Sequence, residues 1–407
     1  MASKLNVQVS GIDQDMRDPA APKLRILLLV NDMGFGGAEI QVADLARNFA
    51  ALGHRVAVCV LVRYLEFERD LQDAGVETFA LEMRYGRPSL DGMVKLASIL
   101  KRFAPDVVHS HLYGATIVAR LARLLRGFPV LVSTSHTPFE RNRTRYLLAG
   151  LTDGLSDVWT NVCSKGIEEH IAQRAVTRER AVHMPNGIDL GRFAIPSARA
   201  RLHSELGVHG RFVWLTVGSF RDEQKDYSNL LVAMHHVRQK HPGSLLLVVG
   251  AGALQDEKRR EATRLGLDPH VRFLGHRRDI SELMTAADGF VMGSAWEALP
   301  LVLLEASASG LPMVATDVGG NADILQHDET GFLVPAKDAR ALAAAMCRLI
   351  ECTPAERRAF AERAREVARL RFDIRRVSAA WISLYRDALE TRLKQPRRAP
   401  WPVLRRL

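Results

Sequence analysis

The chain has 407 residues, 47% hydrophobic and 25% charged, an ordinary globular balance with length for two or three domains, each with its own core. It is too long to be a disulfide-stapled miniprotein, and Cys59, Cys163, Cys347 and Cys352 form no Cys-x-x-Cys pair or metal-ligand cluster, so a reducing, cytoplasmic compartment is expected. The net charge of +10 is not spread over a face: residues 1–190 carry 23 basic and 21 acidic groups, 191–390 carry 27 and 25, and the last 17 carry six and none, which argues against a nucleic-acid partner and places the excess in a tail.

Residues 1–22 form a polar, acid-rich segment without the apolar core of a signal peptide. No uncharged apolar run reaches the roughly 18 residues a membrane-spanning helix needs. From residue 23 short apolar runs alternate with amphipathic ones. Strands are predicted at 25–30, 55–62, 76–81, 106–109, 129–134 and 158–162, with helices at 38–52, 89–103, 114–126 and 164–174. Continuous apolar strands alternating with helices imply a parallel sheet covered on both faces. After the Pro185-Asn186-Gly187 break a second series follows. Its strands are 212–218, 244–250, 271–274, 288–292 and 312–316, and its helices 226–240, 254–265, 279–286, 300–309, 338–350 and 355–370. A helix at 374–394 precedes the basic tail 395–407. The expected architecture is α/β: a doubly wound domain over 23–190, a second over 191–372, and a terminal helix over 373–394 packing back on the first. Ligands of such sheets bind at the carboxyl ends of strands, so the expected site is a cleft between the domains.

Strand 25–30 runs into Asn31-Asp32-Met33-Gly34-Phe35-Gly36-Gly37-Ala38-Glu39 and a helix. Glycines let backbone approach a phosphate, and the helix start supplies free amides and a positive dipole end. A tight turn for strand–helix packing has the same sequence. The dinucleotide pattern Gly-x-Gly-x-x-Gly lacks its third glycine, and Val62-Arg63-Tyr64 stands where an acid would hold a ribose.

Further polar groups fall at strand ends. His109 and His111 follow the fourth strand; His136 follows the fifth in a polar loop and is the better candidate for a sugar hydroxyl or for acid–base work, His109 reading as structural. Arg221 and Lys225 lie between strand 212–218 and the next helix, suited to a phosphate or to solvated local pairing. Glu297 precedes a helix that opens at Pro300 and carries Glu305. Two carboxylates beside free helix amides suit a sugar and a ribose flanking a diphosphate; a favourable helix start and a solvated acid have the same spacing.

Together these pieces resemble the family-4 glycosyltransferases, retaining nucleotide-sugar enzymes of the GT-B fold, over about residues 24–390. The strongest match is Glu297-Ala-Leu-Pro-Leu-Val-Leu-Leu-Glu305, a Glu-x7-Glu signature, followed by Gly310, Pro312, Asp317, Gly319-Gly320 and Gly331-Phe-Leu-Val-Pro335; Gly36-Gly37-Ala38-Glu39, His109-Ser-His111 and Pro185-Asn186-Gly187-Ile188-Asp189 match in order. The resemblance implies that Gly36 and Gly37 face the donor diphosphate with Ser219 and Lys225, that Glu305 binds the ribose, that Glu297 and the amides near Leu299 and Leu301 hold the transferred sugar, and that His136 meets it near the reacting carbon. The base is expected near Gly275-His276, and the acceptor near Asp32, His111 and Arg141. Arg120, Arg123, Arg126, Arg143 and Arg145 are further candidates for a basic surface toward a lipid-linked acceptor at an anionic membrane. Three positions depart from the family pattern: Ser219 stands where the family has arginine, with Arg221 a possible substitute; Ala298 replaces a glycine; Asp323 replaces a glutamate.

The resemblance thus implies transfer from a nucleotide-diphosphate sugar, UDP-sugar favoured, to a glycan or lipid-linked acceptor in bacterial cell-surface polysaccharide synthesis, without cofactor or metal. Asp13-Gln14-Asp15 is the only Asp-x-Asp and reads as solvated tail. A nucleotide-sugar epimerase of the same fold, and a non-catalytic nucleotide-sugar-binding scaffold suggested by Ser219 and Ala298, are the alternatives. The enzyme is expected in the cytoplasm, peripheral to the inner face of the plasma membrane, the tail adding contact with the leaflet.

Overall fold

The computed structural model describes residues 22–394 except 35, 64–65, 85–87, 141 and 196–197. The N-terminal segment, Asp13-Gln14-Asp15, Arg141 and the basic tail therefore lie outside the described residues. The chain divides into two compact units, one ending at Gly187 and resuming at Ile374, the other Ile188–Asp373.

In the first unit β1 (Arg25–Val30), β2 (Arg55–Val60), β3 (Glu77–Ala80), β4 (Val107–His111), β5 (Val130–Ser135), β6 (Val158–Asn161) and β7 (Ala181–His183) form one parallel sheet ordered β3-β2-β1-β4-β5-β6-β7. Strand order reverses between β1 and β4. The helices are α1 (Gly37–Ala51), α2 (Glu68–Asp73), α3 (Leu90–Phe103), α4 (Tyr113–Leu125), α5 (Arg143–Thr152) and α6 (Ser164–Ala172). Strand β1 reads RILLLV and is buried from its second residue onward, as a strand covered on both faces requires. Helix α3 starts at Ser89, whose side chain accepts from the Gly92 amide, and ends in Lys101 and Arg102, which complement its dipole.

The second unit contains α7 (Arg199–Glu205), β8 (Phe212–Val217), α8 (Tyr227–Lys240), β9 (Ser244–Val249), α9 (Gln255–Arg264), β10 (Val271–Gly275), α10 (Ile280–Ala286), β11 (Gly289–Met292), α11 (Leu301–Ser309), β12 (Met313–Thr316), α12 (Asn321–Ile324), β13 (Gly331–Val334), α13 (Ala339–Glu351) and α14 (Pro354–Val367). Its parallel sheet is ordered β10-β9-β8-β11-β12-β13, and order reverses between β8 and β11. Its core is built on fully buried Trp214, Phe220, Leu230 and Met234, each worth about 1.5–3 kcal/mol of transfer free energy on the usual scale. Pro300, predicted to open the helix, is extended at the cap position, and the helix begins at Leu301. Helix α14 opens with Pro354 inside a Thr353–Glu356 capping box.

The last helix, α15 (Ile374–Lys394), returns to the first unit. Its Ile374, Val377, Trp381 and Tyr385 complete the core that β1, β4, β5 and α1 begin. Gly187 has no room for a side chain, because Ile374 and Val377 lie against it, and its amide donates to Gln41 Oε1 at 2.9 Å.

Four elements have no counterpart in the predicted series besides β7 and β13: α2, α5, α7 and α12. α2, α7 and α12 are short, and α5 buries only Tyr146, so none carries a core-facing apolar repeat that stands out.

Candidate active site

In the second unit the site residues gather where strand order reverses. The loop after β8 is anchored by Phe220, fully buried and stacked on Tyr227 at 4.0 Å. Its amide donates to Ala251 O at 3.0 Å. Gly250, at φ +143°, lies so close to the Gly218 carbonyl that a Cβ would overlap it. This close approach fixes the start of the loop, and Ser219 and Arg221 are exposed on either side of Phe220. Among the described residues Arg221 makes no hydrogen bond or ion pair, so its guanidinium is available to a ligand.

Lys225 has a defined partner. Its Nζ is 2.6 Å from Glu297 Oε1. Ser294 Oγ donates to the same oxygen at 2.8 Å and Gln224 Nε2 to Oε2 at 3.1 Å. Ser294 is itself held from β12, since Thr316 Oγ1 donates to its carbonyl at 2.7 Å. The acid from the β11 end and the cation from the β8 end thus meet across the reversal point. Burial and the nearby Glu297 charge raise the Tyr227 phenol above its usual range.

Leu299 and Leu301 are buried, and α11 starts without a side-chain cap. Glu305 is half-buried in the second turn of that helix and is engaged in contacts of its own. The Gly320 amide donates to Ala298 O at 2.6 Å. Gly319, at φ +54°, admits the Glu297 carbonyl into space a side chain would fill. These glycines hold the Glu297–Ala298 peptide with alanine at 298. Asp323 follows in α12, and its Oδ2 is buried without a partner. His276 is exposed just past β10.

In the first unit Asn31 ties the end of β1 to the first turn of α4: its Oδ1 accepts from the Ala115 amide at 2.9 Å. Asp32 next to it is half-buried. Gly36 is the uncapped start of α1, with the Glu39 carboxylate folded against it, and Gly37 is exposed. The histidines form one cluster. His109 Nδ1 is 2.6 Å from Tyr385 Oη and its Nε2 2.6 Å from Thr134 Oγ1. His111 stacks on His109 at 3.9 Å and its Nδ1 is 3.0 Å from His136 Nε2. Burial holds His136 down to about 4 and the other two well below the ordinary 6.5, so all three imidazoles are neutral at pH 7. His111, expected on the acceptor side, is fully buried against His136 instead.

The expected basic surface is smaller than the sequence suggested. Arg120 is buried: Nε donates to Ser156 Oγ at 2.9 Å and Nη1 to Ala149 O at 2.9 Å, with Asp153 3.7 Å away. Arg123 pairs with Asp157 at 2.7 Å. Both tie α4 to the segment after it. Arg145 lies over the Tyr113 ring at 4.7 Å, leaving Arg126 and Arg143 exposed. Sequence reasoning also missed Ser294, Gln224 and Tyr385. Ser294 and Gln224 are close in sequence to predicted residues, but nothing local signals Tyr385.

Residues 35–192 match the family described as Glycosyltransferase Family 4, and residues 199–367 match Glycosyl transferases group 1. A phosphatidyl-myo-inositol mannosyltransferase of Mycolicibacterium smegmatis is 30% identical over 331 residues, covering 78% of this chain and 81% of the relative. The chain belongs to glycosyltransferase family 4. It is an enzyme with two Rossmann-like domains, the GT-B fold. A second family member, the UDP-Gal:alpha-D-GlcNAc-diphosphoundecaprenol alpha-1,3-galactosyltransferase of Escherichia coli, is 28% identical over 275 residues, 64% of this chain and 70% of its own. Among solved structures, HepE of Anabaena in complex with UDP and glucose superposes with a TM-score of 0.77 at 25% identity, over 91% of this chain and 100% of that one. In this glycosyltransferase Glu297 is engaged by Lys225, and Glu305 lies in α11. No helix among the described residues is long and apolar enough to cross a membrane.

Proposed function

We propose that the enzyme moves a sugar, with retention of configuration, from a UDP-sugar to a hydroxyl of a glycan or lipid-linked acceptor in bacterial cell-surface polysaccharide synthesis. The observation that carries the donor half is the Lys225–Glu297 pair at the reversal point, with the available Arg221 beside it. The C1–oxygen bond to the diphosphate breaks, and negative charge grows on the leaving oxygen. Lys225 and Arg221 stabilise that charge as fixed donors, usually the largest catalytic contribution. The acceptor oxygen bonds to C1 on the same face, and its proton passes to the leaving phosphate. Glu305 is assigned to the ribose, Glu297 and His136 to the sugar.

UDP as the nucleotude carrier is supported by HepE, solved with UDP and glucose, and by the Escherichia coli relative, named for UDP-Gal. A lipid-linked acceptor is supported by the acceptors that the two relatives' names carry. Contact with an anionic leaflet is supported by exposed Leu121, Leu124 and Leu125 on α4 and Leu147, Leu148 and Leu151 on α5, near Arg126 and Arg143. Calorimetry over UDP-, GDP- and ADP-sugars, followed by transfer assays, tests the donor. Saturable binding of a UDP-sugar alone is expected; preference for another nucleotide refutes the UDP assignment. Conversion of the donor to an isomer without acceptor establishes the epimerase instead. Co-sedimentation with phosphatidylglycerol vesicles, lost in Leu125→Asp/Leu151→Asp, tests the leaflet; equal binding by the variant refutes it.

A further inference from the structure

We infer that His111 is a positioning residue that fixes the tautomer of His136, so that His136 offers an Nδ1–H donor and not a lone pair. The inference rests on the reading that His136 meets the transferred sugar. His111 Nδ1 and His136 Nε2 are 3.0 Å apart, so one nitrogen of this bond carries the proton and the other accepts it. The other end of His111 decides which. Its Nε2 is buried with no partner. If His136 donated, neutral His111 would carry its proton on Nε2 and bury an N–H with no acceptor. If His111 donates from Nδ1, only a lone pair is left unused. An orphaned buried N–H is the rarer and costlier of the two, so His111 donates. His136 then accepts at Nε2, and its one proton, being neutral, sits on Nδ1.

The layer beneath supports the same order. Tyr385 Oη has one acceptor within reach of its proton among the described residues, His109 Nδ1 at 2.6 Å. His109 therefore carries its proton on Nε2 and donates to Thr134 Oγ1 at 2.6 Å, which is 2.6 Å from Thr160 Oγ1. His111 rests on this locked ring at 3.9 Å. The C-terminal helix thus braces His111, and His111 sets the hydrogen-bonding sense of His136. A donor at Nδ1 suits a sugar oxygen that must accept, while the opposite tautomer would require the sugar to donate.

The test is long-range 1H–15N correlation spectroscopy of the full chain labelled with 15N-histidine at pH 7.5, with His111→Asn and His136→Gln to assign signals. Wild type is expected to show His111 and His136 protonated at Nδ1 and His109 at Nε2. In His111→Ala, His136 should move to the Nε2–H form and kcat/KM for transfer should fall about tenfold. The Asn Nδ2 occupies nearly the place of His Nδ1, so His111→Asn should return both the Nδ1–H signal and most of the activity. An Nε2–H His136 in wild type, which needs no variant to observe, overturns the inference. So does equal activity of His111→Ala and His111→Asn. Full transfer by His136→Gln overturns the assignment of His136 to the sugar, whatever the tautomers.

Discussion

Lys225→Ala removes the cation that faces Glu297, and the structure sets what remains. The Glu297 side chain is 5% exposed and that of Lys225 15%. Two neutral donors stay on the carboxylate, Ser294 Oγ at 2.8 Å and Gln224 Nε2 at 3.1 Å. Breaking a fully buried pair from one side costs about 3–5 kcal/mol. With two donors retained and Lys225 partly hydrated, the expected loss is about 2–3 kcal/mol, read as a fall in the urea midpoint. The same variant loses a charged contact to the leaving diphosphate, so kcat/KM should drop by about tenfold or more, equivalent to about 1.4 kcal/mol. Glu297→Gln tests the pair from the other side. Glutamine retains hydrogen bonding to Ser294 and frees the ammonium for phosphate, so UDP should bind more tightly while kcat falls. Because the two side chains are in contact, the double variant should be less destabilised than the sum by about 1 kcal/mol. A Lys225→Ala protein within about 0.5 kcal/mol of wild type in stability, and within twofold in kcat/KM, would show the pair to be idle and refute the reasoning.

Other perturbations have equally definite expectations. His54 and His136 are held down to about 4, and His109 and His111 also lie below the ordinary 6.5; the unfolded chain therefore binds more protons, stability is complete above the unfolded value, and it should fall as pH drops from about 6.5 toward 4. Unfolding free energies equal at pH 7 and pH 5 would contradict this. Gly250→Ala forces a Cβ onto the Gly218 carbonyl at φ +143°, and should cost about 2–4 kcal/mol and weaken UDP binding through the displaced loop; calorimetry with UDP reads the second effect. Arg120→Met leaves Asp153 buried beside Arg180 alone, 2.7 Å away, and should lower the urea midpoint without changing vesicle binding, whereas a surface arginine would do the reverse.

The two sheets and their helices were legible because their signals are local. A buried parallel strand such as β1 is apolar throughout, and a helix such as α3 carries its own cap and period. The missed elements show the limit of that rule. Strand β7 has three residues and α5 holds only one buried side chain, Tyr146, so neither writes a pattern long enough to read. The arginines of α4 fail for a related reason. Arg120 is one side chain among several polar ones until Ala149, Thr152 and Ser156 are folded against it.

The sequence by itself determined the α/β class, the order of strands and helices along the chain, the glycine-rich starts and the spacing of Glu297 and Glu305. Each follows from residues within one or two turns of one another. It also placed Lys225 and His136 at strand ends, where chemistry in such sheets is found. Their partners were decided by tertiary structure. Lys225 and Glu297 are 72 residues apart, and become neighbours because β8 and β11 pair across the reversal of strand order. His111 and His136 are 25 apart, and meet because β4 and β5 run parallel in a register that sets His111 beside Thr134. Tyr385 reaches His109 from 276 residues away through the return of α15. Which group carries a proton, and which charge a lysine faces, depends on distances that strand pairing creates.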